Sequence, residues 1–227
     1  MPSFDLAKAP LRELNAALHA LPPTTNETHW IVGNPSGKHA VACGLDAPVT
    51  IEIDGHVGYY CAGMNKNATV VISGNAGVGV AENMMSGEVR VKGDASQSAG
   101  ATGCGGLLVI EGNASARCGI SMKGIDIVVK GSIGPMSAFM AQAGNLVVLG
   151  DAGDALGDSI YEARLFVRGR VASLGADCIE KPMTEDDRAI LAAVLKRAGI
   201  DAVADDFKLY GSARRLYHFH VDNVDAY

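Results

Sequence analysis

The stretch that decides the fold is residues 87–124, GEVRVKGDASQSAGATGCGGLLVIEGNASARCGISMKG. It holds two copies of one pattern: a short aliphatic run, a polar residue, a glycine and then small residues. Gly93 and Gly112 occupy the same place in the two copies and are 19 residues apart. The same interval continues in both directions without a gap. The complete set of repeat glycines is Gly55, Gly74, Gly93, Gly112, Gly131, Gly150 and Gly169.

Two aliphatic residues precede every repeat glycine, and most of them are β-branched. Four positions before the glycine stand Ile51, Val70, Val89, Leu108, Ile127, Leu146 and Leu165. Two positions before it stand Ile53, Ile72, Val91, Ile110, Val129, Val148 and Val167. Because side chains alternate between the two faces of a strand, this spacing predicts a short strand with one buried face in every repeat.

The length of the repeat predicts a parallel β-helix. Nineteen residues are too few for a helix pair of about 33 residues or a propeller blade of about 40. The Leu and Asn ladder of a leucine-rich repeat is absent. We therefore expect an all-β, right-handed, single-stranded parallel β-helix of about seven coils, since a left-handed helix of six-residue units favours 18 per coil. Each coil should hold three short strands and three tight corners, where glycine supplies a positive φ.

Short helices are expected on both sides of the β-helix. Residues 1–30 predict an N-terminal arm with one amphipathic helix, and residues 31–181 predict the β-helix itself. Residues 182–227 predict a C-terminal helix followed by an aromatic tail. Thr184 is a good N-cap for that helix, and Gly199 should close it.

Composition excludes several classes of protein. Of the 227 residues 48% are hydrophobic and 19% charged, which argues against disorder. A net charge of −6 argues against nucleic acid as a partner. No apolar run approaches the roughly 18 residues of a membrane span, and the N-terminus does not resemble a signal peptide. A cytoplasmic protein without membrane contact is expected.

The cysteines predict reduced structural thiols. Their number is odd and there is no C-x-x-C pair. Cys61 and Cys118 occupy the same repeat position three coils apart, about 14 Å at the spacing of stacked strands. That separation is too large for a disulfide or a shared metal. The five cysteines are Cys43, Cys61, Cys104, Cys118 and Cys178.

Other motifs carry little chemistry. His218, His220 and Asp222 share one face of an extended tail, so a metal site is an alternative there, but a polar contact with a partner, involving also Tyr217, is favoured. No G-x-x-x-x-G-K-[ST] loop occurs. The residues just before the repeat glycines have mixed charge and predict a solvated face with local pairing rather than the acidic cluster of a carbohydrate enzyme. They are Asp54, Ser73, Lys92, Glu111, Lys130, Leu149 and Arg168.

One outward column is unexpectedly apolar. Three positions before the glycine, the later coils carry Val109, Val128, Val147 and Phe166, which should form an exposed stripe. Two explanations remain open at this point. Either the helix containing Ile190 and Leu195 covers the stripe, or a partner chain does.

The run GNAGVGVAENMMSGEVRVKGDASQSAGATGCGG at 74–106, with LLVIEGNASARCGISMKG after it, resembles the G-x-G-x-G repeat domain that closes the large chain of glutamate synthase. That domain is a right-handed parallel β-helix, and the same repeat stands free in the β-helix subunit of formylmethanofuran dehydrogenase. The resemblance covers about residues 31–181. The second glycine of the motif is kept at Gly58, Gly77, Gly134 and Gly153 and replaced by Ser96, Ser115 and Ala172.

The size of the chain, its arm LRELNAALHAL and its tail YGSARRLYHFHVDN resemble the stand-alone β-helix subunits of N-methylglutamate synthases. The resemblance implies a complex that converts L-glutamate and methylamine to N-methyl-L-glutamate and ammonia. It implies two partners, a glutamine-amidotransferase-like chain and an FMN-dependent synthase chain that also holds an iron–sulfur cluster. This chain would be a non-catalytic scaffold with no cofactor or metal of its own. An ordinary glutamate synthase, the β-helix subunit of formylmethanofuran dehydrogenase, or an independent β-helix enzyme or polymer-binding module remain alternatives.

Overall fold

The computed structural model describes residues 2–214 and contains one sheet whose strands follow the repeat. Along the chain the strands are β1 Ser3–Asp5, β2 His29–Gly33, β3 Thr50–Asp54, β4 Thr69–Ile72, β5 Glu88–Val91, β6 Leu107–Ile110, β7 Lys123–Val129, β8 Ala143–Val148, β9 Arg164–Val167, β10 Cys178–Lys181 and β11 Lys208–Ser212. The helices are α1 Leu11–His19 and α2 Glu185–Ala198, with a short 3-10 helix at Ala204–Asp206. Within the described residues, neither α-helix has the length and apolar character needed to cross a bilayer.

Parallel pairing at the repeat interval confirms an all-β parallel β-helix of about seven turns. From β3 to β9 each strand pairs with the equivalent strand of the next coil; Ile53 lies beside Ile72, for example, and Val91 beside Ile110. All fourteen aliphatic residues of the two inward columns are at most 1% exposed. Stacked aliphatic columns therefore form the continuous core that the sequence predicts.

Only one side of each coil is a regular strand, so the expectation of three strands per coil is wrong. The second side is a ladder of single bridges two residues after each glycine, such as Ala76 to Ala95 and Ala95 to Ala114. On the third side, the residues five, seven and nine positions after the glycine have a left-handed backbone, and the residues between them do not. In the coil of Gly74 these are Gly79, Ala81 and Asn83, with φ of +72°, +57° and +56°.

The left-handed residues explain why the third side forms no strand. Their N–H groups point alternately to the two neighbouring coils: Gly79 donates to the Gln97 carbonyl oxygen (2.9 Å), whereas Ala81 donates back to that of Cys61 (2.9 Å). The backbone curls at each such residue and cannot extend as a β-strand does. We refer to this side of the rod, at positions four to nine after each repeat glycine, as the left-handed side.

The repeat glycines are required by close packing rather than by a positive φ, so the expected reason for them is wrong. Only Gly55 among the seven has a positive φ, at +136°. At Gly112 an added Cβ would lie 2.4 Å from Asp94 Oδ1 and 2.8 Å from the Gly93 carbonyl oxygen. The neighbouring coil therefore occupies the space of a side chain. The positive φ predicted at corners is confirmed at a second column of glycines, which lie at or just before the start of β5 to β8, namely Gly87, Gly106, Gly124 and Gly144.

The side chain that fills this space belongs to a ladder that the aliphatic pattern did not predict. The residue after each of the first six repeat glycines accepts a hydrogen bond from the equivalent backbone N–H of the next coil. Asn113 donates in this way to Asp94 Oδ1 (2.7 Å), and Ser132 donates to Asn113 Oδ1 (2.9 Å). The full set of acceptors, which we call the corner ladder, is His56, Asn75, Asp94, Asn113, Ser132 and Asp151.

The N-terminal end of the rod is covered by the arm. Leu14 and Leu18 of α1 are buried. The Asn15 side chain binds the Ala40 carbonyl (2.9 Å) and the Ala42 N–H (3.1 Å), in the segment that precedes the coil of Gly55. Strand β1, which no sequence pattern predicted, extends the sheet beyond β2. At the other end β11 inserts antiparallel between β9 and β10.

Candidate partner-binding surface

The predicted apolar stripe is covered by the chain itself. Val109, Val128, Val147 and Phe166 point outward from the sheet, as the alternation requires, but each is 0% exposed. They form a second core with Leu191, Val194, Leu195 and Ala198 of α2 and with Phe207 and Leu209. The assignment of these four residues as a partner contact is therefore corrected: they offer no surface to another chain, and the helix is what covers them.

Polar contacts fix both ends of α2 on the sheet. At its start the Thr184 hydroxyl accepts the Asp187 N–H (3.2 Å), and Asp187 in turn accepts the Thr184 N–H (3.0 Å), which completes a capping box. Asp187 also binds Arg164 of β9 (3.1 Å), and Arg197 near the end of the helix binds Asp126 of β7 (2.6 Å). Gly199 closes α2 in the left-handed conformation, as predicted.

The tail residues Tyr217, His218 and His220 lie outside the described residues, so their proposed contact with a partner stays a prediction.

All five cysteines are free thiols, of which Cys61, Cys118 and Cys178 are buried. Burial raises the pKa of Cys118 to about 12 and that of Cys178 to about 11. Between residues 2 and 214 no three His, Cys, Asp or Glu side chains gather as a metal site would require.

A groove of about 790 Å³ opens beside β8, β9 and β11 near the start of α2. Three cationic side chains line it, but each has a partner. Arg164 binds Asp187, Lys181 donates to the Ser212 carbonyl oxygen (3.3 Å), and Arg214 binds Asp177 (2.6 Å). Exposed Tyr161 stands at its edge. The three cations of the groove are therefore already held by partners within the chain, at the last coils of the rod.

A group of exposed apolar side chains lies at the opposite end of the rod. Tyr59, Tyr60, Met64 and Met85 are each 49–51% exposed and project from the left-handed side of the first two coils or directly beside it. We call them the aromatic–methionine patch. Tyrosine gives large, stiff contact area and methionine adapts its shape to a partner, so both residue types are favoured at protein interfaces.

One half of this patch is held rigid before any partner arrives. The Tyr59 ring stacks on the His39 ring at a centroid distance of 4.4 Å, and the Tyr59 N–H donates to His39 Nδ1 (2.9 Å). The Tyr60 ring meets the edge of Tyr59 at 6.5 Å. Such fixed aromatic side chains lose little conformational entropy on binding, which is typical of binding hot spots.

Charge is scarce along this side of the rod. In the five coils that begin at Gly55 to Gly131, the positions four, five, eight and nine after the glycine hold two charged residues, Glu82 and Arg117. Elsewhere the rod is richly paired; Glu111, for instance, binds both Lys92 and Lys130. This pairing agrees with the solvated face expected just before the repeat glycines. In these five coils the left-handed side is thus poor in charge, and the patch lies on this part of it.

Glu82 is the exception beside the patch. The Tyr60 ring and the Glu82 carboxylate both lie against Gly79. A Cβ added to Gly79 would be 2.8 Å from Tyr60 Cδ1 and 2.6 Å from Glu82 Oε2. Burial raises the pKa of Glu82, and no other influence contributes. Within the described chain no hydrogen bond or ion pair reaches its carboxylate. We call Tyr60, Gly79 and Glu82 the Tyr–Glu corner.

One column of the repeat carries a sequence signal for this surface. The column five residues after each repeat glycine reads Tyr60, Gly79, Ser98, Arg117, Met136, Ala155 and Leu174. A tyrosine in a column of mostly smaller residues has no neighbour large enough to cover it. Without knowing that this side of the coil is left-handed and faces solvent, however, the column could equally be interpreted as core.

Comparison with known proteins identifies a close relative. The chain is 64% identical over 228 residues to Protein GlxC of Rhizobium meliloti (strain 1021), and the match spans 100% of both proteins. None of the protein-family models matches. A chain of the formyltransferase/hydrolase complex (FhcABCD) from Methylorubrum extorquens, solved with methylofuran, superposes with a TM-score of 0.67. That match covers 90% of this chain and 86% of the other at 23% identity, so it shows a shared fold.

The match to Protein GlxC runs along the whole length of both proteins at 64% identity. On this ground the chain belongs to the family of Protein GlxC.

Proposed function

We propose that this chain is a non-catalytic scaffold subunit of an N-methylglutamate synthase. In that complex it connects a glutamine-amidotransferase-like chain with an FMN-dependent glutamate-synthase-like chain, which also carries the iron–sulfur cluster. The overall reaction would convert L-glutamate and methylamine to N-methyl-L-glutamate and ammonia.

The observation that carries this proposal is the presence of two separate surfaces on one stiff rod. The aromatic–methionine patch lies on the first two coils, and the groove lined by Arg164, Lys181 and Arg214 lies at the last coils. Strands stacked at about 4.8 Å put these surfaces roughly 20 Å or more apart. A connector between two chains needs such surfaces, held at a constant distance.

The hydrogen bonding of the rod supports this role. Backbone ladders join neighbouring coils on all three sides, and the corner ladder adds side-chain bonds at one corner. Bending the rod would break several of these bonds at once, so the separation between the two surfaces changes little. The structural likeness to a chain of a multi-subunit complex also supports the use of this fold as a subunit.

The test is affinity purification of the tagged chain from native cells, followed by identification of the co-purifying chains. We expect an amidotransferase-like chain and a yellow, FMN-containing synthase chain, and the purified complex should form N-methyl-L-glutamate from L-glutamate and methylamine. An ordinary glutamate synthase would bring a similar flavin chain but use 2-oxoglutarate and glutamine. A molybdenum- or tungsten-dependent dehydrogenase chain would support the formylmethanofuran dehydrogenase alternative. A chain that purifies alone and degrades a polysaccharide would overturn the scaffold role.

A further inference from the structure

From the Tyr–Glu corner we infer a binding site for an arginine side chain of a partner protein. The inference rests on the proposed function, because it needs a partner chain, and it names the chemistry by which that chain is recognised. In the bound complex the guanidinium group would stack on the exposed face of the Tyr60 ring and pair with the Glu82 carboxylate.

The corner carries a negative charge without a counter-charge. The Glu82 carboxylate is half-buried beside the aromatic–methionine patch, and no cation of the described chain lies within ion-pair distance of it. Three other shielded carboxylates, those of Asp126, Asp187 and Glu111, are at most 21% exposed, and each has a basic partner. Docking an uncharged apolar surface here would bury a lone carboxylate, which is costly. The partner must therefore bring a cation.

The corner is also open in shape. Tyr60 lies against Gly79, and the equivalent residue of the following coil, Ser98, is small, so no large stacked side chain fills the corner. Gly63 occupies the position above Glu82 and adds no side chain. The open space is bounded by an aromatic ring that is 49% exposed and by a carboxylate.

An aromatic ring beside a carboxylate favours arginine over lysine. A planar guanidinium stacks on an aromatic ring and at the same time donates two hydrogen bonds to a carboxylate in its own plane. It is also less strongly hydrated than an ammonium group and is enriched in interface cores together with tyrosine and methionine. The neighbouring Met64 and Met85 would pack against the aliphatic part of the arginine side chain.

The experiment measures the Kd between the full-length purified chain and the purified synthase-like and amidotransferase-like chains from the same organism. Three variants address the corner: Glu82→Lys, Glu82→Gln and Tyr60→Leu. The last keeps the apolar area but removes the aromatic face. Asp201→Lys is the matched control, because Asp201 is likewise without an ion pair among the described residues but lies in the loop after α2.

We expect Glu82→Lys to weaken binding to one partner by at least about 30-fold and Glu82→Gln and Tyr60→Leu by about tenfold each. The other partner should bind all three corner variants with wild-type affinity. The Asp201→Lys variant should bind both partners with wild-type affinity. Replacing the responsible partner arginine, found by protection mapping, with Glu should restore binding to Glu82→Lys. Urea unfolding of each variant must match the wild type, which keeps a loss of binding separate from a loss of folding.

Three failures are distinguishable. If the wild type binds its partners and Glu82→Lys binds them equally well, the arginine site is overturned and the scaffold role stands. If Tyr60→Leu binds normally while Glu82→Lys does not, or if the rescuing residue is a lysine, the stacked guanidinium is wrong. If the wild-type chain binds neither partner, the proposed function fails and the arginine site fails with it.

Discussion

At the scale of single residues, the repeat glycines are set by their neighbours in the adjacent coil. The Asp94 carboxylate must reach the Asn113 N–H at 2.7 Å, and in doing so it occupies the place of a side chain at position 112. We predict that Gly112→Ala destabilises the rod by about 1–3 kcal/mol, because the added methyl group also meets the Gly93 carbonyl oxygen at 2.8 Å. Urea unfolding followed by circular dichroism measures this.

Gly33 is the matched control for this substitution. It ends β2, and a Cβ added there has no neighbour within 4 Å. Gly33→Ala should change the free energy of unfolding by no more than about 0.5 kcal/mol. Equal losses in the two variants would mean that close approach between coils is not what keeps position 112 a glycine.

At the scale of elements, the covering of the sheet by α2 gives a sharp prediction. Val128 is 0% exposed beneath the helix, so Val128→Asp would bury an unpaired charge there. This substitution should destabilise the isolated chain by about 3 kcal/mol or more. Val71→Asp is the control, because Val71 occupies the same column of the repeat in a coil that the helix does not cover. If both variants unfold at the same urea concentration, α2 does not protect the stripe in solution.

The attachment of α2 should also depend on pH. Burial raises the pKa of Asp187, but hydrogen bonds from Thr184 and the Arg164 guanidinium outweigh it, and the result is a pKa below the ordinary 3.8. A carboxyl group with a lowered folded-state pKa stabilises the fold above its unfolded pKa, and this stabilisation is lost as the pH falls through the folded value.

We therefore predict that Asp187→Asn is less stable than the wild type at pH 7 and that the difference shrinks as the pH falls below about 4. Urea unfolding at a series of pH values measures the difference. Asp201→Asn, which changes an exposed carboxylate without an ion pair among the described residues, should show no such convergence. A gap between wild type and Asp187→Asn that persists to the lowest pH of the series would show that the charge of Asp187 is not what fastens the helix.

The sequence predicts the elements that follow from alternation and capping but not those that depend on contacts between coils. Ile110 and its fellow aliphatic residues identify the strands, and Thr184 with Gly199 identifies the limits of α2. The left-handed residues could not be predicted because Met64, Arg117 and Met140 are not types that favour a positive φ. Packing between stacked coils imposes that conformation, and no local pattern records it.

At the scale of the whole molecule, the rod can be predicted from the sequence, but what covers or exposes its surfaces cannot. The 19-residue period is enough to predict the core and the number of coils. It also predicts that the stripe of Val128 and Val147 points outward, but not that α2 covers it, because the docking of a terminal helix depends on long-range contacts. The aromatic–methionine patch could not be predicted, since the isolated column of Tyr60 does not reveal which side of the coil faces solvent.

A rod held together by stacked aliphatic columns should need neither disulfide nor metal. Its five thiols are free, and Cys61 and Cys118 are 0% exposed with a pKa raised by burial. We predict that reductant and chelator leave the melting temperature unchanged. In the native chain an aromatic disulfide reagent should modify Cys104 quickly, the partly buried Cys43 slowly, and the three buried thiols only after unfolding.

Cys104→Ser serves as the control, because it should remove the fast phase of modification and leave the rest. Rapid reaction of all five thiols would show that the coils open far more readily than their hydrogen bonding implies. A fall in melting temperature with chelator alone would instead indicate a structural metal. Its ligands would then be sought first in the H-x-H-x-D pattern of His218, His220 and Asp222, where two imidazoles and a carboxylate recur at the spacing of one strand face.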